Sequence, residues 1–330
     1  MSNGKNGGSA RLRWLSALAL CLAAGGLGAQ TWPDKAIKLL APSTAGGPPD
    51  VYARALAESL AKALGQSVVV ENMPAAGGMI AAQAIQRAPA DGHTLLVSTA
   101  GMMTITPNAH PMAQYKGSDF TPICQGVEAS LVLASHPGLG VKRYAELAQW
   151  IRSQKTPPSY SSYSSGSPAH FLGYQLSEAL KVDMTHVPYK SSPQQITDMI
   201  GGVAPLGFVQ MATALPHIKA GKLIAYATTG DQRTADLPEV PTVAELGLSQ
   251  LSTSVWFGLT APKDLPSAVA QRLVTLHQQI TASPEFKARM TSAGLSVSPP
   301  VCGPQFTQKI MQETQRWAAI VKATGFVANP

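Results

Sequence analysis

Charge is what this 330-residue chain has least of. Only 13% of its residues are Asp, Glu, Lys or Arg, about half the usual share. The net charge of +7 falls to +4 once Lys5, Arg11 and Arg13 of the first segment are subtracted, and no basic cluster remains. That excludes a phosphate-backbone reader, so no nucleic-acid partner is expected. Aromatic residues are also sparse, at 6%. The three cysteines, Cys21, Cys124 and Cys302, fit neither zinc nor redox spacing, and Cys124 and Cys302 are expected as buried, free thiols. There is no GxGxxG, P-loop, HExxH, GxSxG or CxxC, which argues against the commoner dehydrogenases, hydrolases and zinc enzymes. The seven histidines show no metal-ligand spacing. No metal and no cofactor is expected.

Apolar residues are plentiful, at 45%, enough to bury a core and exclude global disorder. Length alone suggests two domains. Residues 1–29 carry a basic start, an apolar middle from Trp14 to Leu22 and a small-residue exit ending at Ala29. This is the order of a cleaved secretory signal, and the Trp14–Ala29 stretch is short for a membrane span.

Beyond Trp32 one device recurs. A short apolar run enters a Gly, Ser or Pro-rich loop, and a helical pattern follows. Ile37–Ala41, Val68–Val70 and Leu95–Val97 read as strands, then Leu131–Leu133, Ser159–Ser162, Thr185–Val187, Pro205–Val209 and Leu223–Ala227. Helical patterns lie between them, and the tail from Ser267 is mostly helical. Alternation of this kind predicts an α/β protein with mostly parallel sheets flanked by helices. The two domains are expected to join through crossing strands near Thr121–Val127 and Ala227–Asp231.

Three loops could carry a site. The first, Pro42 to Asp50, includes Ser43, Thr44, Ala45, Gly46 and Gly47 and leads into Pro48-Pro49. Glycines let backbone amides approach a ligand, proline can begin a helix without losing a useful donor, and the helix N-terminus favours an anion. The second, Ser161 to Pro168, offers Ser164, Ser165, Gly166 and Ser167, with His170 one turn on. The third is Ser98-Thr99-Ala100-Gly101. In open parallel sheets, ligands sit at the carboxyl ends of strands, where these loops fall. None contains Lys or Arg, so an anion would be held by neutral N–H and O–H groups and water. His186, Met73, Met79, Met102, Met103 and Met211 read as structural or core residues.

The ordered set of motifs resembles the solute-binding proteins of tripartite tricarboxylate transporters, the Bug proteins. It runs from Pro42–Asp50 through Gly65–Asn72, Gly77-Gly78, Ala90–Leu96, His186–Lys190, Ala214–Ile218, Ala220–Leu223 and Pro238–Glu245 to Trp256–Leu259 and Ala261-Pro262. The resemblance implies a two-lobed periplasmic-binding-protein fold of the Venus flytrap, type II kind. Lobe 1 would comprise residues 30–126 and 231–330, and lobe 2 residues 127–230. It further implies a periplasmic location and a monomer that takes a small organic carboxylate to a membrane permease of that transporter type, or to a sensor. Ser43 to Gly47 and Ser164 to His170 would grip one carboxylate. The chain departs from the family pattern at three positions. Ser43 replaces a frequent Phe, Met73 a frequent Arg, and Val209 a frequent Asp at a strand end facing the ligand. The competing reading, an exported enzyme acting on a carboxylate, would rest on Ser165 paired with His170.

Overall fold

The computed structural model describes Met1, residues 32–74 and residues 76–327. The expected signal segment and its expected cleavage after Ala29 lie, but for Met1, outside the described residues. Among the described residues no helix is long and apolar enough to cross a membrane.

The described residues hold ten strands, in chain order β1 (Ile37–Ala41), β2 (Val68–Asn72), β3 (Thr94–Thr99), β4 (Phe120–Ser135), β5 (Ser159–Ser162), β6 (Thr185–Pro188), β7 (Leu206–Gln210), β8 (Ile224–Thr228), β9 (Ser254–Pro262) and β10 (Ser296–Cys302). They run in the order β2-β1-β3-β9-β4-β7-β5-β6, with β8 and β10 both paired to β4. Strand β4 organises the whole. Its first part, Phe120–Ser130, pairs with β9, and its last five residues, Leu131–Ser135, pair with β7. One 16-residue strand therefore serves both halves of the sheet. At the same joint Thr229 donates its amide to Leu131 O, and Thr253 donates to Thr229 O.

The parallel pairs are the outer ones, β1 with β2 and β3, and β5 with β6 and β7. Every pair made by β4 or β9 is antiparallel, so each half carries a mixed sheet. Two of these strands escaped the sequence pattern. β10 contains Pro299 and Pro300, residues that demote a strand assignment and belong at edges. β9 is buried along nearly its whole length and so shows no alternation.

The helices follow the expected code. Pro48–Leu64 buries Tyr52, Ala53, Leu56 and Leu60 at helical spacing, and Gly65 in the left-handed conformation returns its amide to Ala61 O. The C-terminal helix, Pro304–Thr324, inserts Phe306 and Ile310 into a core shared with Leu40, Leu96, Met102, Met103 and Trp256. A second core in the other half joins Val132, Val209, Met211 and Leu223.

Cys124 and Cys302 are not free. They sit opposite each other on β4 and β10 and form a disulfide across 178 residues of sequence. A pairing at that separation is invisible to spacing arguments, because register creates it.

Candidate functional site

A cleft of about 860 Å³ opens where the carboxyl ends of β1, β3 and β5 meet. Of the residues proposed from the sequence, Ser43, Thr44, Gly47, Thr99, Ser164, Ser165, Gly166 and Ser167 line it. Ala45 and Gly46 belong to the first loop but are not among the lining residues.

The two loops are built alike. In each, a glycine with positive φ (Gly46 at 78°, Gly166 at 70°) turns its amide back to a side chain four residues ahead. Gly46 donates to Asp50 Oδ2 at 2.9 Å, and Gly166 to His170 Nδ1 at 3.2 Å. Gly47 donates to Thr44 O, and Ser167 donates its amide to Ser164 O. The helices then begin at Pro48-Pro49 and at Pro168, which carry no amide hydrogen.

This corrects the expected donors. The amides of Gly46 and Gly47 are engaged within the loop. Thr44, Ala45, Ser164 and Ser165 keep amides with no partner among the described residues. The Ser43 hydroxyl, beside the cleft, is buried without a partner.

Asp50 fastens the first loop. Its carboxylate also accepts from Arg54 Nε at 3.0 Å and Asn72 Nδ2 at 2.8 Å, and Asn72 Nδ2 reaches Ser43 O. Burial pushes the Asp50 carboxyl up, but hydrogen bonds from Arg54, Gly46 and Asn72 outweigh it and hold it below the ordinary value. The tie was missed because Asn72 lies 22 residues away on a parallel strand.

His170 fastens the second loop from behind. It is 7% exposed and stacks on His186 with ring centroids 3.7 Å apart. His186 Nε2 pairs with Ser162 Oγ at 2.8 Å, and that hydroxyl lies 2.9 Å from Ser164 O. Burial pushes His170 down to about 4, and burial with the neighbouring His170 pushes His186 to about 3. Both rings are therefore neutral near pH 7. His170 Nδ1 serves Gly166, not the Ser165 hydroxyl, and His170 is not a lining residue. The Ser165–His170 pairing that an enzyme reading required is not formed.

Two other proposed residues leave the cleft. Ser98 is fully buried and bonded to Gly258 O and Thr260 Oγ1. Val209 is fully buried in the second core, and its neighbour Gln210 lines the cleft instead. Adjacent residues of a strand face opposite sides, so a one-residue displacement exchanges core for cleft. Thr99 does line the cleft, and its hydroxyl caps Met102 N at 3.2 Å. There the expected loop is a π-helical turn, Gly101–Ile105, which brings Met102 to the wall. Met79, Met103 and Met211 are core residues.

A fourth loop completes the wall. Pro188 to Pro193 contributes Tyr189, Lys190, Ser191 and Ser192. Lys190 is the one Lys or Arg among the lining residues, and none of them is Asp or Glu. Phe257, Val255 and Met102 supply apolar surface, and His110, whose Nδ1 accepts from Met112 N, lies on the first half.

Residues 52–326 match the family described as the tripartite tricarboxylate transporter family receptor. The chain belongs to that family. It is 32% identical over 323 residues to protein BugT of Bordetella pertussis, covering 95% of this chain and 98% of that protein. A UPF0065 protein of Agrobacterium vitis is 33% identical over 298 residues, covering 89% of this chain and 86% of its own length. Among solved structures, periplasmic binding protein BugD superposes with a TM-score of 0.82 at 31% identity, covering 90% of this chain and 100% of that one. Rhodopseudomonas palustris Rpa4515, solved with adipate, gives 0.83 at 28% identity over 90% of this chain and 99% of its own. MatC of the same species, solved with malate, gives 0.80 at 28% identity over 88% and 100%. The two halves joined through β4 thus form the two-lobed periplasmic-binding-protein fold of this transporter receptor family.

Proposed function

We propose that this receptor is exported to the periplasm, acts as a monomer, and captures a small organic carboxylate between its lobes without chemical turnover. It then delivers the acid to a membrane permease of the tripartite tricarboxylate transporter type. One observation carries the reading. Two loops of the same construction face a single cleft that contains Lys190 and no carboxylate. Free loop amides, serine hydroxyls and one ammonium favour an anion, and the lining offers no carboxylate to pair with a ligand ammonium. Relatives solved with adipate and malate agree with that chemistry.

Lobe 1 comprises residues 30–126 and 231–330, and lobe 2 residues 127–230. The switch of β4 partners at Ser130 to Leu131, four residues beyond that boundary, supports a divide within this strand. A ligand touching loops of both lobes favours their closure, since only the closed form offers both sets of contacts. A thermal-shift series over mono-, di- and aromatic carboxylates tests the function. Binding at 100 times the dissociation constant adds about 2.7 kcal/mol of stability. A flat response to every acid would contradict the reading.

A further inference from the structure

The C-terminal helix begins in one half of the protein and ends against the other. Phe306 packs on Trp256 with centroids 5.0 Å apart, inside the core that holds β1 and β3. Eleven residues on, Trp317 meets Phe171 at 6.1 Å. Gly325 then stops the helix in the left-handed conformation. The residue after such a stop usually packs back on its own helix. Phe326 packs on the cluster that holds Trp317 and Val321 of that helix, and it also reaches the second half. Its ring stands nearly perpendicular to His170 at 4.6 Å and to Phe171 at 5.7 Å. Its amide is tied to Thr324 Oγ1 at 3.1 Å, which fixes where the ring is presented.

The contact reaches the ligand loop itself. A Cβ placed on Gly166 would lie 3.5 Å from Phe326 Cε1. His170 is thus held by three rings, stacked on His186 and on Phe171 and capped edge-on by Phe326, while its Nδ1 receives the Gly166 amide. Ile105 and Ala109, from the turn beside the cleft in the first half, belong to the same apolar cluster as Phe171 and Trp317. The cluster therefore spans both halves and ends on the serine loop.

We propose that Phe326 is a positioning residue for ligand capture, through which the C-terminal helix sets the conformation of the serine loop. It is not itself a lining residue of the cleft. It acts by holding the neutral His170 ring in the one orientation that keeps the Gly166 amide turned inward. Without it, water reaches the imidazole, the ring gains freedom, and Gly166 exchanges its partner. The binding part of this inference rests on the function proposed above; the loop part does not.

The test uses the full mature chain and two readouts. Amide hydrogen exchange of Gly166 is measured without ligand, and affinity for adipate and for malate by calorimetry. In Phe326→Ala, Gly166 exchange should rise about tenfold while the amides of β9 and β10 keep their protection. Affinity for whichever acid binds should fall about fivefold. Phe326→Tyr, which retains the ring, should restore both. Unchanged Gly166 exchange in Phe326→Ala overturns the proposal, and so does a uniform acceleration across the chain, which would mark a merely structural residue. If neither acid binds the wild type, the functional reading is damaged and Gly166 exchange still decides the role of Phe326.

Discussion

Gly166 gives its amide to Nδ1 of His170, 3.2 Å away and four residues ahead. Gly46 does the same to Asp50 in the opposite half. The acceptor differs, imidazole in one loop and carboxylate in the other, but the result is shared. The glycine amide is turned inward, and the two amides before it have no partner among the described residues. His170→Phe keeps an aromatic ring against His186 and Phe326 and deletes the acceptor. A lost hydrogen bond of this kind costs about 0.5–1.5 kcal/mol. Denaturant unfolding should show that small loss, and calorimetry a clear drop in ligand affinity.

Asp50 is the stronger fastener. It is buried and accepts from Gly46, Arg54 and Asn72. Asp50→Ala leaves the Gly46 amide and Asn72 without their acceptor. Removing a charged acceptor with several partners costs about 2–3 kcal/mol. Urea midpoints at neutral pH should fall accordingly, and the variant should bind ligand at least about tenfold more weakly.

Acid should weaken the fold through its buried histidines. His170 and His277 are pushed down to about 4 by burial, and His186 to about 3. Their unfolded values lie near 6.5, so between pH 6.5 and 4 the unfolded chain binds protons that the native chain does not. Stability from these groups is complete above pH 6.5 and is lost as pH falls. Each fully buried histidine contributes on the order of 2 kcal/mol of loss by pH 5. Burial raises Glu313 and opposes part of the trend. Unfolding midpoints measured from pH 7 to pH 4.5 should decline steadily, and a flat profile would contradict the buried neutral histidines.

The disulfide between Cys124 and Cys302 closes a loop of 178 residues. Restricting so long a loop in the unfolded chain is worth about 2–5 kcal/mol. The Cys124→Ala, Cys302→Ala double variant should melt about 5–15 °C lower. Because the bond joins β4 to β10 away from the cleft lining, ligand affinity measured below the transition should be nearly unchanged.

Local grammar made much of this fold readable. The strands Ile37–Ala41 and Ser159–Ser162 match the sequence boundaries, and the helices Ser267–Ala282 and Pro304–Thr324 fill the tail read as helical. Each is delimited by a cap, a proline or a glycine that acts within a few residues. What escaped depends on distant pairing. β9 lacks alternation, β10 carries two prolines, and β4 extends far beyond the apolar triplet Leu131–Leu133 that marks it. At the cleft, the loops that line it were visible from Gly, Ser and Pro content, but the direction of individual groups was not. Gly46 and Gly47 turn their amides inward because Asp50 and Thr44 lie in reach, and Val209 yields the cleft to Gln210 by strand alternation. Lys190 sits in a loop after β6 that had no anion signature of its own.

The most direct test of carboxylate capture is calorimetric titration of the protein with ligands matched in carbon frame. Adipate would be compared with its diamide and with 2-aminoadipate, and malate with aspartate. The lining holds Lys190 and no Asp or Glu, so a plain acid should bind, its amide should not, and the amino acids should bind more weakly than the acids. Equal binding of acid and amide, or tightest binding by an amino acid, would contradict the account.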